Sequence, residues 1–528
     1  MSKFLCIPRL KTKELTHKDI KSRIREIKIL RLKIVSKDSK FQERNSRALR
    51  SLITILRESK RSELQLVSTR DIISCSVTLL SHYEEKLHRT EGGFCDWRRR
   101  RDYKIALFCY NEILRSFIPE KTQEIVNSLV EVMHKEKLWH WEHLCWELSR
   151  GLLQQGVGGS PFVDALLDFV ENEMTGFYDA RAIVRILYEI LDVYTWSKDQ
   201  RTVSTIERLL KLYYASLSGN KTDDVPPYAP LRRGLEVCLR HTIKNLTNEH
   251  LLVVIYHMCV WSIGDNTSDV TILDFGSTLE YAAYMHDTRL YKDTLTSNIF
   301  PVLMRMIAST NRLVSLLGNR VIHHLLDRHE NRTQFDTPKI FFENMSFDLR
   351  VSRYDKQDKH FLQVNRQILH DSLVHGIMKH SAIRLNLESV YCTICLIAVE
   401  VPCGFTAAAL VCLVMNLQDL TLEQSDLSRH ISCHIHATVI AIMSLLCWIH
   451  EAKVFYTCVN KIMMQRAQWA PHLNPPIKPR YRFAIHHVLW DKPEFFFVDW
   501  EARYGLWKCF RLREEHRRIT DDSLNKNS

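Results

Sequence analysis

The chain has 528 residues and a formal net charge of +12; 45% hydrophobic and 25% charged residues describe a folded protein with a sizeable core, not a disordered one. Gly at 15 and Pro at 14 are each about 3% of the chain, below their usual share, which argues against collagen-like, low-complexity and loop-rich all-β architectures. The charge is local: residues 1–40 hold 13 Lys/Arg against 4 Asp/Glu, so the remainder is nearly neutral.

In this basic segment, 1–40, Thr16-x-x-Asp19 predicts a helix start. Ile20, Ile24, Ile27 and Ile34 fall near one face, and Lys21, Arg23, Arg25, Lys28 and Arg31 supply the rest. With Lys3, Arg9, Lys11, Lys13 and Lys18 they form a candidate membrane-binding set. Such a helix could lie on an anionic membrane, or cap a solenoid with its isoleucines buried against the second helix. Charge alone does not choose between lipid, nucleic acid and an acidic protein. Cys6 stands in the apolar patch Phe4-Leu5-Cys6-Ile7, just before the basic run, and is a candidate lipidation site, the acyl chain being one anchoring signal and the charge the second. No apolar core of a secretory signal is present, so a reducing compartment is expected, with the fifteen cysteines as free thiols.

Residues 41–218 carry legible helical periodicity. Ala106, Cys109, Tyr110, Ile113, Leu114 and Phe117 lie on one stripe, as do Ile183, Ile186, Leu187, Ile190, Leu191 and Tyr194, and Ile206, Leu209, Leu210, Tyr213, Tyr214 and Leu217. Shorter stripes are Leu49, Leu52, Ile53 and Leu56, and Val163, Leu166, Leu167 and Val170. Two-helix units of roughly 40 residues follow, the period of HEAT and armadillo repeats. The expected fold is all-α, an armadillo/HEAT-like right-handed α-solenoid. Residues 219–232 read as a linker and 233–334 as further helical repeats. An irregular ordered excursion is expected at 335–362, a C-terminal helical part at 363–512 and a frayed polar tail at 513–528.

Val401–Gln418 and Ile431–His450 lack charged residues for 18 and 20 positions, near the length needed to cross a membrane. Their Pro, Asn, Gln and His residues make buried central helices the better reading. Asp274-Phe-Gly276 has the form of a kinase metal-binding triplet but lacks its companion motifs. Cys392, Cys395, Cys433 and His436 have zinc-ligand chemistry, yet they sit in apolar helical runs and read as core residues. Hydrolase, NTPase, dinucleotide and zincin motifs are missing, so neither a catalytic site nor a cofactor nor a bound metal is expected.

Leu325-Leu-Asp-Arg-His-Glu-Asn-Arg332 resembles a signature of the Eighty-five Requiring Three family, the Rolling blackout proteins. Phe347-Asp-Leu-Arg-Val-Ser-Arg353, the set Phe361, Asn365, Gln367 and Leu369, Asn416-Leu-Gln-Asp419, Ala470-Pro-His-Leu-Asn-Pro475 and, upstream, His134-Lys-Glu-Lys-Leu-Trp139 are similar to further family segments in the same order. The resemblance implies a helical-repeat scaffold, not an enzyme, peripheral to the cytoplasmic face of the plasma membrane. It implies as partners an anionic phospholipid surface and the type III-alpha phosphatidylinositol 4-kinase complex, with its tetratricopeptide-repeat and hyccin-like subunits, and no nucleic acid. Where animal members carry adjacent cysteines near the start, this chain has Cys6 alone. Asp327, Arg328, His329, Asn331 and Arg332 cannot all face an apolar core, so they are expected to form a hydrogen-bonded corner that pins the excursion.

Overall fold

The computed structural model describes residues 14–32, 41–89, 100–118, 120–156, 159–172, 175–193, 196, 198–217, 228–264, 267–351, 353–423, 428–478, 490–498, 503–505 and 508. They are almost wholly helical, and among them the only β pairing is an isolated bridge between Leu15 and Ser59. The chain divides into two compact units, Met1–Asn245 and Leu246–Ser528.

The first unit contains α1 (His17–Leu32), α2 (Phe41–Glu58), α3 (Arg61–Gln65), α4 (Thr69–Arg89), α5 (Arg101–Phe117), α6 (Thr122–Lys135), α7 (Glu142–Gln154), α8 (Gly159–Glu171), α9 (Phe177–Val193), α10 (Gln200–Leu217) and α11 (Arg232–Asn245). Each helix from α4 to α9 packs on the helix two places further on. This makes one row of α4, α6, α8 and α10 and a second of α5, α7, α9 and α11, the two-layered stacking of a helical solenoid. The predicted stripes are the cause: those of α5, α8 and α9 are buried wherever described, and that of α10 is buried except for half-buried Tyr214. In α2 the phase differs. Its core face runs through Ala48, Leu49, Leu52 and Ile55, leaving Ile53 and Leu56 half-exposed.

The second unit contains α12 (Asn248–Ser262), α13 (Asp269–Met285), α14 (Tyr291–Thr294), α15 (Ile299–Ile307), α16 (Arg312–Leu326), α17 (Lys356–Val364), α18 (Arg366–His380), α19 (Arg384–Glu400), α20 (Gly404–Glu423), α21 (Arg429–Ile449) and α22 (Lys453–Trp469). Its rows are α12, α15, α18 and α20 against α13, α16, α19 and α21. Side-chain caps set several starts: Ser268 Oγ accepts the Thr271 N–H at 3.2 Å, and Asn311 Oδ1 accepts the Leu313 N–H at 2.8 Å. Close packing on α15 depends on glycine, since a Cβ at Gly376 would lie 2.9 Å from the Ile307 carbonyl oxygen.

Three boundaries differ from those read in the sequence. The first unit extends through α11, because that helix packs on α9 and α10; of the expected linker, 219–227 lie outside the described residues. Irregular chain ends at Asp355, whose side chain accepts the Gln357 N–H at 2.7 Å and starts α17 inside the stretch expected to be irregular. The helix left little periodic signal because its inner face holds only Phe361 and Leu362 beside a buried Asp358. Beyond Trp469 the described chain forms short 3-10 turns and extended segments, as Asn474-Pro-Pro dictates, instead of further long helices.

α20 and α21 are long and apolar enough to cross a membrane, yet 61% and 89% of their most apolar windows are buried within the fold. Every residue of α21 from Ser432 to Cys447 is buried. Its hydroxyls are satisfied locally, Thr438 donating to the His434 carbonyl and Ser444 to that of Ala441.

Candidate functional site

Two features come into question: the basic first helix and the corner after α16. Helix α1 starts as its sequence requires, with the Thr16 N–H and Oγ both donating to Asp19 Oδ2, at 3.0 and 2.7 Å. Ile20, Ile24 and Ile27 are buried, and the helix packs on α2, α3 and α4. Its apolar face is therefore spent on the protein's own core. The basic residues fall into three sets. Lys18, Lys21 and Arg25 are exposed, Arg23 is half-buried, and Lys28 is half-buried and ion-paired with Asp71 on α4. Cys6, Lys3, Arg9, Lys11, Lys13 and the side chain of Arg31 lie outside the described residues.

The five signature residues Asp327 to Arg332 meet in one place. Asp327 ends α16; its Oδ1 accepts the Asn331 N–H and its Oδ2 the Arg332 N–H, each at 2.8 Å. This tight return needs a left-handed residue, supplied by Glu330 at φ 61°. Arg328 Nη2 lies 2.8 Å from Asp358 Oδ2, an ion pair off the line of a straight hydrogen bond, and the guanidinium stacks 4.0 Å from the centre of the Tyr291 ring. Asp358 is fully buried, and its Oδ1 accepts the Tyr291 N–H at 2.8 Å. The Tyr291 hydroxyl donates to the Leu326 carbonyl at 3.0 Å, closing the loop back onto α16.

His329 Nδ1 contacts both oxygens of the buried Glu400, at 3.1 and 3.2 Å. Asn331 pairs with the backbone of Arg350, donating to its carbonyl and accepting from its N–H at 2.9 Å each. Arg332 Nη1 donates to His324 Nε2 at 2.8 Å. Burial, with Arg332 beside it, lowers the His324 pKa to about 4, which keeps the ring neutral and able to accept. Further along, the Phe341 N–H donates to Ser444 Oγ at 3.1 Å and Trp448 Nε1 donates to the Met345 carbonyl at 3.2 Å. The rings of Phe335, Phe341, Phe347 and Trp448 pack in succession. The corner thus fixes residues 331–355 over α19 and α21. Chemically it is a set of compensated charges. Each buried carboxylate faces a cation or histidine together with an amide donor, an arrangement suited to holding shape.

The sequence pointed to these five residues but not to Tyr291, Asp358 or Glu400, which complete the network from three other segments. The one available signal was Glu400, an acid directly before a long uncharged run. Asp274-Phe-Gly276 lies inside α13, with Phe275 and Gly276 buried. The four zinc-type donors are dispersed: Cys392 Sγ faces the Arg332 carbonyl, Cys433 packs with Ala470, Leu473, Phe495 and Phe496, and His436 lies against Trp490 and Phe496. Among the described residues no three His, Cys, Asp or Glu are grouped to hold a metal. Burial pushes the Cys433 thiol up to about 12, so it stays protonated.

Comparison with a family model points to the same region. A family model described as "EFR3, armadillo repeat" matches residues 266–483, which contain the whole corner. Protein EFR3 homolog A of Mus musculus is 27% identical over 156 residues, 29% of this chain and 19% of the relative. The Xenopus laevis protein of that name is 25% identical over 175 residues, 33% of this chain and 21% of the relative. The human one is 26% identical over 156 residues, with 29% and 19% covered. The matched part thus spans about a fifth of each relative's length. Two compact all-α units of row-stacked helices, the signature corner in the second of them, and these matches describe a helical-repeat protein that is similar, over residues 266–483, to the EFR3 family's armadillo repeat.

Proposed function

We propose that the protein is a non-enzymatic peripheral-membrane scaffold that anchors or recruits a type III-alpha phosphatidylinositol 4-kinase complex, with its tetratricopeptide-repeat and hyccin-like subunits, at the cytoplasmic face of the plasma membrane. The observation that carries this reading is the EFR3 armadillo match over 266–483, within which the signature corner is intact. The exposed face of α1 supports it, because Lys18, Lys21 and Arg25 remain directed outward after the isoleucines are buried. Basic residues near an anionic leaflet each contribute about 1 kcal/mol, and a single acyl chain gives only marginal binding, so Cys6 and the basic residues would act together. Holding a kinase at its lipid substrate raises the effective concentration of both without chemistry by the scaffold.

A second reading, a cytosolic helical-repeat scaffold with other partners, is favoured by one observation: α1 spends its apolar face inside the fold and Lys28 on Asp71. One experiment separates the two. C-terminally tagged protein is distributed between membrane and cytosol, wild type beside Cys6→Ser and beside Lys18→Gln with Lys21→Gln and Arg25→Gln. Membrane enrichment lost in either variant supports the anchor. A cytosolic wild type supports the second reading.

A further inference from the structure

The first unit holds a cavity of about 580 Å³ where α7, α9 and the start of α11 meet, three successive helices of one row. It lies outside residues 266–483, the part similar to the EFR3 armadillo repeat. Its size falls in the range of small-ligand sites. Glycine helps to keep it open. On α11, Gly234 faces α9 so closely that a Cβ would lie 2.8 Å from Val184 Cγ1, and no side chain rises from that position to fill the space. Val184 and Leu231, both buried, give the lining its apolar part. Around them stand Trp146, half-buried on α7, and Tyr188 and Val237, which are 37% and 43% exposed on α9 and α11. Exposed apolar side chains gathered on a concavity are the surface that a ligand covers. Tyr188 is braced by the ring of His241, 5.1 Å between centres, and His241 Nε2 in turn lies 3.0 Å from Asp192 Oδ1.

The charges bordering this apolar lining do not cancel. Arg181, Arg185 and Arg233 stand against Glu142 and Glu189. Arg185 is spent on an ion pair with Glu142, from α9 to α7. Arg181 and Arg233 are exposed and, among the described residues, have neither an ion pair nor a hydrogen bond; Glu189 alone opposes them. One positive charge is therefore left over. The complementary molecule has a single acidic group, which the planar guanidiniums suit, and an apolar body that packs against Trp146 and Tyr188.

We propose that the cavity between α7, α9 and α11 is a binding site for a small amphipathic organic anion, its acidic group toward Arg181 and Arg233 and its apolar body on Trp146, Tyr188 and Val237. Because such a ligand touches three stacked helices at once and only when they are folded, it stabilises the first unit as well as occupying it.

Two fluorescent probes test this on the full chain. Anilinonaphthalene sulfonate has an aromatic body and one acidic group, and phenylnaphthylamine has the same body without the acid. Wild type is expected to bind the sulfonate saturably at a single site. Arg181→Gln with Arg233→Gln should weaken the sulfonate about tenfold and the neutral probe less than about twofold, since only the first carries a charge for the arginines. Val237→Trp, which fills the mouth of the cavity from an exposed helix position, should weaken both probes. All three altered positions are exposed, so the variants should melt with wild type when no probe is present. Unsaturable binding, or sulfonate binding undiminished by Val237→Trp, overturns the proposal. Equal losses of the two probes in the arginine variant overturn the assignment of an anion to the site.

Discussion

Arg328 at the end of α16 and Asp358 on α17 meet at 2.8 Å, the carboxylate fully buried and the guanidinium stacked on Tyr291. Removing one partner leaves a buried charge uncompensated, which costs about 3–5 kcal/mol. Arg328→Ala is therefore expected to lower the thermal midpoint of the second unit by several degrees. Arg328→Ala with Asp358→Asn should recover part of that loss. A melting curve for Arg328→Ala that overlays wild type would show that the pair does not hold the corner.

Asp327→Ala tests the return itself, since it strips the acceptors from two backbone N–H groups. A destabilisation of about 1–3 kcal/mol is expected in urea unfolding. Limited proteolysis should find new cleavage between residues 336 and 355, and an unchanged digestion pattern would count against the pinning role.

Histidines make the fold sensitive to acid. Burial lowers the pKa of His323, on α16, to about 3, its ring lying 2.9 Å from both the Ser389 carbonyl and Thr393 Oγ1. The unfolded chain takes up this proton near pH 6.5 and the folded chain only near 3, so the contribution is complete above 6.5 and is lost progressively as pH falls between those values. One such group gives a slope of about 1.4 kcal/mol per pH unit. His323→Gln should be less stable at pH 7 yet show a shallower decline between pH 6 and 4, followed by urea midpoints. Parallel declines in variant and wild type would refute the assignment.

Gly376 and Gly276 form a matched pair. A Cβ at Gly376 would press on the backbone oxygen of Ile307, which cannot move aside, whereas one at Gly276 would meet Leu317 side-chain atoms at an ordinary 3.6 Å. Gly376→Ala is expected to cost about 1–3 kcal/mol. Gly276→Ala should be neutral or stabilising by up to about 1 kcal/mol through helix propensity. Equal effects in chemical denaturation would mean that α15 and α18 are less closely constrained than their geometry implies.

For α1, binding to phosphatidylserine-containing vesicles should fall about a hundredfold when Lys18, Lys21 and Arg25 are all changed to Gln, at about 1 kcal/mol each. Lys28→Gln should change vesicle binding little, because Asp71 already holds that cation. The reverse ranking in a sedimentation assay would rule out this face as the contact surface.

Helices such as α5 and α9 were legible because each buries one unbroken stripe, and burial of an apolar stripe is what fixes a solenoid helix. The corner was half legible. Five polar residues in a row cannot be core, which announced a network, but Tyr291, Asp358 and Glu400 come from separate segments with no local pattern tying them to Asp327. Helix α17 was hidden for a related reason: a buried carboxylate takes a position that periodicity reserves for an apolar side chain. Burial of Arg466 gave no signal at all, since its hydrogen bonds go to three backbone carbonyls and every residue carries one.

The segment 331–355 leaves the end of α16, ties to Glu400 at the end of α19 through His329 and Asn331, and reaches Ser444 and Trp448 on α21. Along a row of stacked helices, this runs lengthwise as a splint. The interfaces of α16 with α19 and of α19 with α21 cannot open one at a time. The joint between α13 and α16 is the one in that row that the splint leaves unspanned.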